Sequence, residues 1–320
     1  MRSARLVEPN RFDVEWREAA PEPGPDEVLV RVRGCGVCAS NLGPWTGDAG
    51  IAYPLPPGAP GHEVYGTVAA FGSDVRGIEV GAAVTALSHH GFADYDLVGA
   101  DAVVPLPDAV ADRPLPGEPV ACAVNVARRA DVEAGDDVVV LGAGFLGTLV
   151  VRLARHAGAG RIVAVSRRRE SLALAERMGA DETLTYGEDV VGRVEALTDG
   201  RLADVVVEAT GKAGPLELAA ALTRVRGRLV VAGYHQDGRR NVNMQLWNWR
   251  GLDVINAHER DPAIYLRGMR EAVRLVVEGK LELEPLLTHF VALDEINRAF
   301  RLAEARPAGF VKAVVTTEDG

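Results

Sequence analysis

The sequence predicts an α/β protein: a doubly wound parallel sheet joined to a second, β-rich domain. Three observations predict it. From about residue 121, short apolar strands alternate with helical stretches, the pattern of a parallel sheet with helices on its faces. Residues 1 to about 120 read instead as short strands broken by Gly and Pro. Between the two textures lies Gly142-Ala143-Gly144-Phe145-Leu146-Gly147, entered by the apolar strand Val138-Val139-Val140-Leu141 and left by a helical pattern, Leu146, Leu149, Val150 and Leu153.

In chain order, the first domain (1–120) has strands at Glu27–Arg33, Val64–Phe71 and Ala83–Leu87. The second domain (121–265) has strands near Val138–Leu141, Ile162–Val165, Val205–Glu208, Leu229–Ala232 and Val254–Asn256. Its helices lie near Phe145–Ala157, Leu172–Met178 and Pro215–Leu222, with another near Tyr265–Glu278 at its end. The tail (266–320) carries Thr288–Leu293, a helix near Glu295–Ala305 and a strand at Phe310–Val315, and is expected to return to the first domain.

At 320 residues the chain is long enough for two domains, each with a core. A formal charge of −10 gives no support to nucleic-acid or anionic-membrane binding. No apolar run reaches the roughly 20 residues of a membrane span, and Met1–Val7 lacks the apolar core of a signal peptide. Three cysteines cannot build a disulfide framework, which points to the cytoplasm.

The glycine turn is the pattern of a dinucleotide site. Gly142 permits a tight turn, Gly144 lets the backbone approach a pyrophosphate, and Gly147 lets helix and strand pack closely. The phosphates would rest on the free N–H groups of the helix that starts at Phe145 and Leu146. The next strand ends in Ser166-Arg167-Arg168-Arg169. An NAD site usually has Asp or Glu here, about 20 residues after the glycines, to take the ribose hydroxyls. A hydroxyl and guanidiniums at Ser166, Arg167 and Arg168 instead attract a 2′-phosphate, so NADP(H) is expected rather than NAD(H).

The first domain holds Gly34-Cys35-Gly36-Val37-Cys38-Ala39-Ser40-Asn41 and, later, Pro60-Gly61-His62-Glu63. Cys35 and Cys38 alone are a C-x-x-C pair, suited to redox chemistry or half of a zinc site. With no second such pair, a four-thiolate site cannot form, whereas a mixed thiolate, imidazole and carboxylate site suits zinc with one position open.

These segments, in this order with the glycine turn, resemble the zinc-dependent medium-chain alcohol dehydrogenase family, in its sorbitol- and threonine-dehydrogenase-like branch. The resemblance runs from Gly24-Pro25-Asp26-Glu27-Val28 to Gly309-Phe310-Val311-Lys312. It implies a Rossmann domain, a GroES-like catalytic domain and an NAD(P)-dependent alcohol dehydrogenase or ketone reductase. Cys38 and His62 match the first two catalytic-zinc ligands, and Glu63 the adjacent carboxylate that binds or approaches the metal. Glu118 matches the third ligand of this branch, with Cys122 as competitor; in the ungapped match Cys122 faces the nicotinamide. Ser40 matches the hydroxyl that passes the substrate proton.

Three departures stand out. Asn41 occupies the place of an Asp that normally holds the zinc-binding histidine, and Gly43 that of a proton-relaying histidine. The lobe for a structural zinc, which needs four closely spaced cysteines, has no counterpart between Glu63 and Glu118, so one zinc per chain is expected. The resemblance further implies hydride transfer in an interdomain cleft, with a polyol, sugar or cyclitol, or else a simple secondary alcohol or ketone, as the small-molecule substrate, and assembly as a homodimer or homotetramer. Trp45, His89, His90 and Trp247-Asn248-Trp249 are candidates for lining the pocket, while His156, His235, His258 and His289 belong to no constellation. Two other readings compete: a zinc-free NADPH-dependent quinone or enoyl reductase of the same fold, and an NADPH-binding protein without turnover.

Overall fold

The computed structural model of the chain describes residues 1–48 and 50–317. It divides into two compact units, one of Met1–Ala121 with the chain from Asp261 onward, the other of Cys122–Arg260.

The second unit is a six-stranded sheet in which every neighbouring pair is parallel. Across the sheet the strands run Glu182–Thr185, Arg161–Ser166, Asp137–Leu141, Ala203–Glu208, Thr223–Val231 and Asp253–Asn256. Numbered along the chain, that is the order 3-2-1-4-5-6 of a dinucleotide-binding sheet. Asp137–Leu141 is buried at all five positions, as a central strand covered on both faces must be. The order reverses between this strand and Ala203–Glu208, in register Leu141 to Glu208, so a crevice opens beyond their carboxyl ends.

The glycine turn fills the first side of that crevice. Gly142 has φ +99°, a left-handed conformation that a side chain would strain. A Cβ on Gly147 would stand 2.0 Å from the Gly142 carbonyl oxygen, while one on Gly144 would meet nothing within 4 Å. Gly147 therefore serves the close packing of helix Phe145–His156, and the open space lies at Gly144.

The first unit is built on a seven-stranded sheet around the long strand Glu27–Gly36, which pairs antiparallel with Glu63–Phe71, Tyr95–Gly99 and Ala313–Thr316. Glu63–Phe71 pairs in turn with Ala83–Leu87, and that with Val103–Pro105. Ala313–Thr316 also takes His289–Ala292 in parallel, so the tail completes the sheet of this unit. Helix Ile296–Ala305 covers the sheet through Ile296, Ala299, Phe300 and Ala303. Phe300, Phe12, Trp45 and Phe92 form one aromatic cluster, and Trp45 also donates from Nε1 to Glu304 at 3.1 Å. Trp45 is thus a core residue, not a pocket wall. Among the described residues no helix is long and apolar enough to cross a membrane.

Gly147→Ala is expected to force the turn apart and lower the melting temperature. A calorimetric scan beside Gly144→Ala, where a methyl meets nothing, checks this: the first variant should lose clearly more stability than the second.

Candidate functional site

Strand Glu27–Gly36 ends in the segment that bears Cys38, and strand Glu63–Phe71 begins immediately after His62. The register Gly36 to Glu63 brings the two ends side by side. Cys38, His62 and Glu63 consequently place one sulfur, one ring nitrogen and one carboxylate oxygen all within 4.8 Å of one another. The approach is possible because position 36 is glycine: a Cβ there would lie 1.9 Å from Glu63 Oε2.

Each of these side chains is held. His62 Nδ1 lies 2.9 Å from the Pro60 carbonyl, a contact that requires Nδ1 to donate and leaves Nε2 for a metal. Asn41 is buried, accepts from the Cys38 N–H at 3.0 Å and donates to the same Pro60 carbonyl at 3.0 Å, with His62 Nδ1 at 3.3 Å from its Nδ2. An aspartate in this place would turn an anionic oxygen toward that carbonyl. The amide has both the donor and the acceptor that the position needs, and the main chain holds the histidine.

Glu63 is wholly buried, and both its oxygens accept from Lys312 Nζ at 2.6 Å. Burial works against a charged Lys312, but Glu63, then Cys38 and Glu118, more than compensate and raise its pKa. Glu118, in the first turn of helix Gly117–Ala130, is pushed up by burial; His62 opposes this, and so does a hydrogen bond from Tyr265. It stands outside the tight group of three but within their electrostatic reach.

Burial also works against a protonated His62. Its hydrogen bond to Cys38 and the charges of Cys38, Glu118 and Glu63 outweigh that and hold it up to about 10. The site so concentrates negative charge that it draws a proton onto its histidine. A divalent cation bound by thiolate, imidazole and carboxylate supplies the same compensation, and this donor set suits zinc. Cys35 is different: it is fully buried, and burial raises its thiol pKa well above the ordinary value. None of the three cysteines is disulfide-bonded, so the C-x-x-C pair is a pair of thiols.

Most of the remaining expected site residues lie in the second unit, with Ser40 and His90 in the first. Cys122 is half-buried one turn along the helix from Glu118. Gly142, Gly144, Phe145, Leu146 and Gly147 form the turn and helix start described above. Ser166 ends its strand and accepts from the Arg168 N–H at 3.4 Å; Arg167 is exposed, and Arg168 precedes helix Arg169–Arg177. Ser40 sits half-buried in the single turn Ala39–Asn41, two residues past Cys38. Among the pocket candidates, Trp249 is 87% exposed and His90 is exposed, with Nδ1 3.1 Å from the Pro57 carbonyl.

Residues 24–108 match the family described as alcohol dehydrogenase GroES-like domain, and residues 146–274 that described as zinc-binding dehydrogenase. A sorbitol dehydrogenase from Halalkalibacterium halodurans is 27% identical over 93% of this chain and 94% of its own length. An L-threonine 3-dehydrogenase from Pyrococcus abyssi is 29% identical over 91% and 92%. A solved structure from Sinorhizobium meliloti 1021, described as a putative zinc-binding dehydrogenase bound to NADP, is 28% identical, covers 98% of both chains and superposes with a TM-score of 0.86. The chain belongs to the zinc-type medium-chain alcohol dehydrogenase family. It is an NAD(P)-dependent dehydrogenase.

Two residues near the metal candidates escaped the sequence reading. Lys312 had a usable signal, a single cation inside the apolar run Phe310–Val315. Tyr265 had none, because only the folded helix brings it to Glu118. Replacing Lys312 with Met should strand the buried Glu63 charge and cost about 3–5 kcal/mol, the usual penalty for breaking a buried pair. Denaturant unfolding checks this, and adding Glu63→Gln to Lys312→Met should restore part of the loss.

Proposed function

We propose that this chain is a zinc-dependent oxidoreductase that transfers a hydride between NADP(H) and an alcohol or carbonyl carbon. The observation that carries it is the convergence of Cys38, His62 and Glu63 within 4.8 Å, a thiol, an imidazole and a carboxylate of the kind that suits zinc. Cys38 and His62 hold the metal, Glu118 is the further ligand in preference to Cys122, and Glu63 approaches it while paired with Lys312. Bound zinc supplies Lewis acidity, which favours the alkoxide over the alcohol. The Pro60 carbonyl fixes the ring of His62 so that Nδ1 keeps its proton and Nε2 is the nitrogen left for the metal. Ser40 receives the proton of the substrate hydroxyl at its Oγ and passes it toward water, since Gly43 offers no side chain for a relay.

In the second unit the glycine turn and the start of helix Phe145–His156 hold the pyrophosphate. Ser166 with Arg167 and Arg168 takes the 2′-phosphate; the absence of a carboxylate at position 166 supports NADP(H). The relatives named for sorbitol and threonine support a substrate with several polar groups, and we assign a polyol, sugar or cyclitol as its class.

Metal-replete protein should carry about one zinc per chain. Elemental analysis should find it lost in Cys38→Ser and retained in Ser40→Ala, with the latter inactive on alcohols. Zinc-free wild type would instead favour the quinone or enoyl reductase reading, and full activity of Ser40→Ala would remove its proton role. With a common substrate, kcat/KM should favour NADP over NAD, and Arg167→Ala/Arg168→Ala should erode that preference by about tenfold or more. An unchanged ratio would show that these arginines do not read the cofactor.

A further inference from the structure

Beyond the carboxyl end of strand Ala203–Glu208 stands a set of charged groups that the proposed chemistry does not use. Glu208 is the last residue of that strand, opposite Leu141 and next to the glycine turn, and its side chain is completely buried. Its Oε1 accepts from the N–H of Thr210 at 2.7 Å, the N–H of Gly211 at 3.0 Å and the Thr210 hydroxyl. Its Oε2 lies 3.0 Å from His235 Nε2.

The histidine tautomer is determined by its other neighbour. Arg240 Nε donates to His235 Nδ1 at 2.8 Å, and a guanidinium can only donate. Nδ1 is therefore the bare nitrogen, and Nε2 carries the proton that Glu208 accepts. Arg240 also donates to the Gly211 carbonyl at 3.1 Å and pairs with Asp237, and Asp237 accepts from Lys212 at 3.3 Å. The two loops 209–212 and 233–240 are thus closed into one ring through Glu208, His235, Arg240, Asp237 and Lys212. The ring is dense: a Cβ on Gly233 would lie 2.1 Å from the Gly211 nitrogen, and a Cβ on Gly142 2.6 Å from Thr210 Cγ2.

We infer that His235 and Arg240 are cofactor-positioning residues that fix the wall of the crevice against which the nicotinamide half of the dinucleotide lies. The inference rests on the reading of this unit as the NADP(H) site. A sheet of this order has two halves, each serving one mononucleotide. Ser166, on the strand second in order, marks the adenosine half. The clamp joins the ends of Ala203–Glu208 and Thr223–Val231, which belong to the other half. A buried carboxylate that gathers donors from two loops is a costly feature unless the loops must be rigid, because each lost donor leaves its charge uncompensated. Preorganised loops spare the cofactor the cost of ordering them on binding.

The test compares NADPH with its adenosine fragment, 2′,5′-ADP, by titration calorimetry on the zinc-loaded enzyme. In His235→Leu and Arg240→Leu the Kd for NADPH should rise about tenfold or more, the scale of one charge-assisted hydrogen bond. The Kd for 2′,5′-ADP should stay at the wild-type value. His235→Gln, whose amide can still donate to Glu208, should recover part of the NADPH affinity. Equal weakening of both ligands, or no change in either, would overturn the clamp as a nicotinamide-side device. Failure of wild type to bind either ligand would overturn the cofactor reading instead. If His235→Leu does not fold, Arg240→Leu, which removes only the partly exposed end of the ring, carries the same comparison.

Discussion

The buried pair of Glu63 and Lys312 is the constraint around which the first unit is arranged. A carboxylate with no solvent access must be compensated, and here the lysine that directly precedes strand Ala313–Thr316 meets both oxygens. Everything nearby accommodates that meeting. Position 36 is glycine because the carboxylate lies against it, Ala313–Thr316 pairs with Gly34–Gly36 to bring the lysine in, and Cys38 and His62 occupy the two chain segments that flank the pair. The metal candidates are close to one another because the register that serves Glu63 also aligns the strand ends that carry them.

The same ammonium moderates the charge of the site. Sulfur, two carboxylates and imidazole crowd a small volume, and Lys312 compensates Glu63 specifically. Glu118 has different surroundings: the charge of His62 and a hydrogen bond from Tyr265 act on it. Lys312 on Glu63 and Tyr265 on Glu118 thus distinguish the two carboxylates, a distinction that spacing along the chain does not contain.

Much of the fold was legible because strong local signals agreed with the global arrangement. The strand at Ala83–Leu87, the helix beginning at Phe145 and the central strands with their β-branched runs all stand where periodicity put them. Less legible were elements whose residues are not apolar in a simple period. Strand Glu182–Thr185 is short and half polar, and helix Gly117–Ala130 contains a proline and two terminal arginines that mask its pattern. The metal candidates were readable as motifs. Their supports were not: the Pro60 carbonyl that holds His62 has no side-chain signature, and His235, isolated in sequence, acquires its role only when Glu208 and Arg240 meet it. Asn41, a departure when read as sequence, becomes intelligible once both faces of its amide are seen to be used.

The closing strand has a consequence for how the protein comes into being. Gly34–Gly36 cannot complete its edge until Ala313–Thr316 arrives, and nearly the whole of the intervening chain, including the complete second unit, must be synthesised first. Through that interval Glu63 lacks its ammonium and the catalytic unit lacks one of its edges. The second unit, continuous in sequence, has every strand it needs well before. Order of synthesis therefore sets order of maturation: the nucleotide-binding half can fold while the chain is still growing, whereas the surroundings of Cys38, His62 and Glu63 mature later, completed only once Ala313–Thr316 has been made and has paired with Gly34–Gly36.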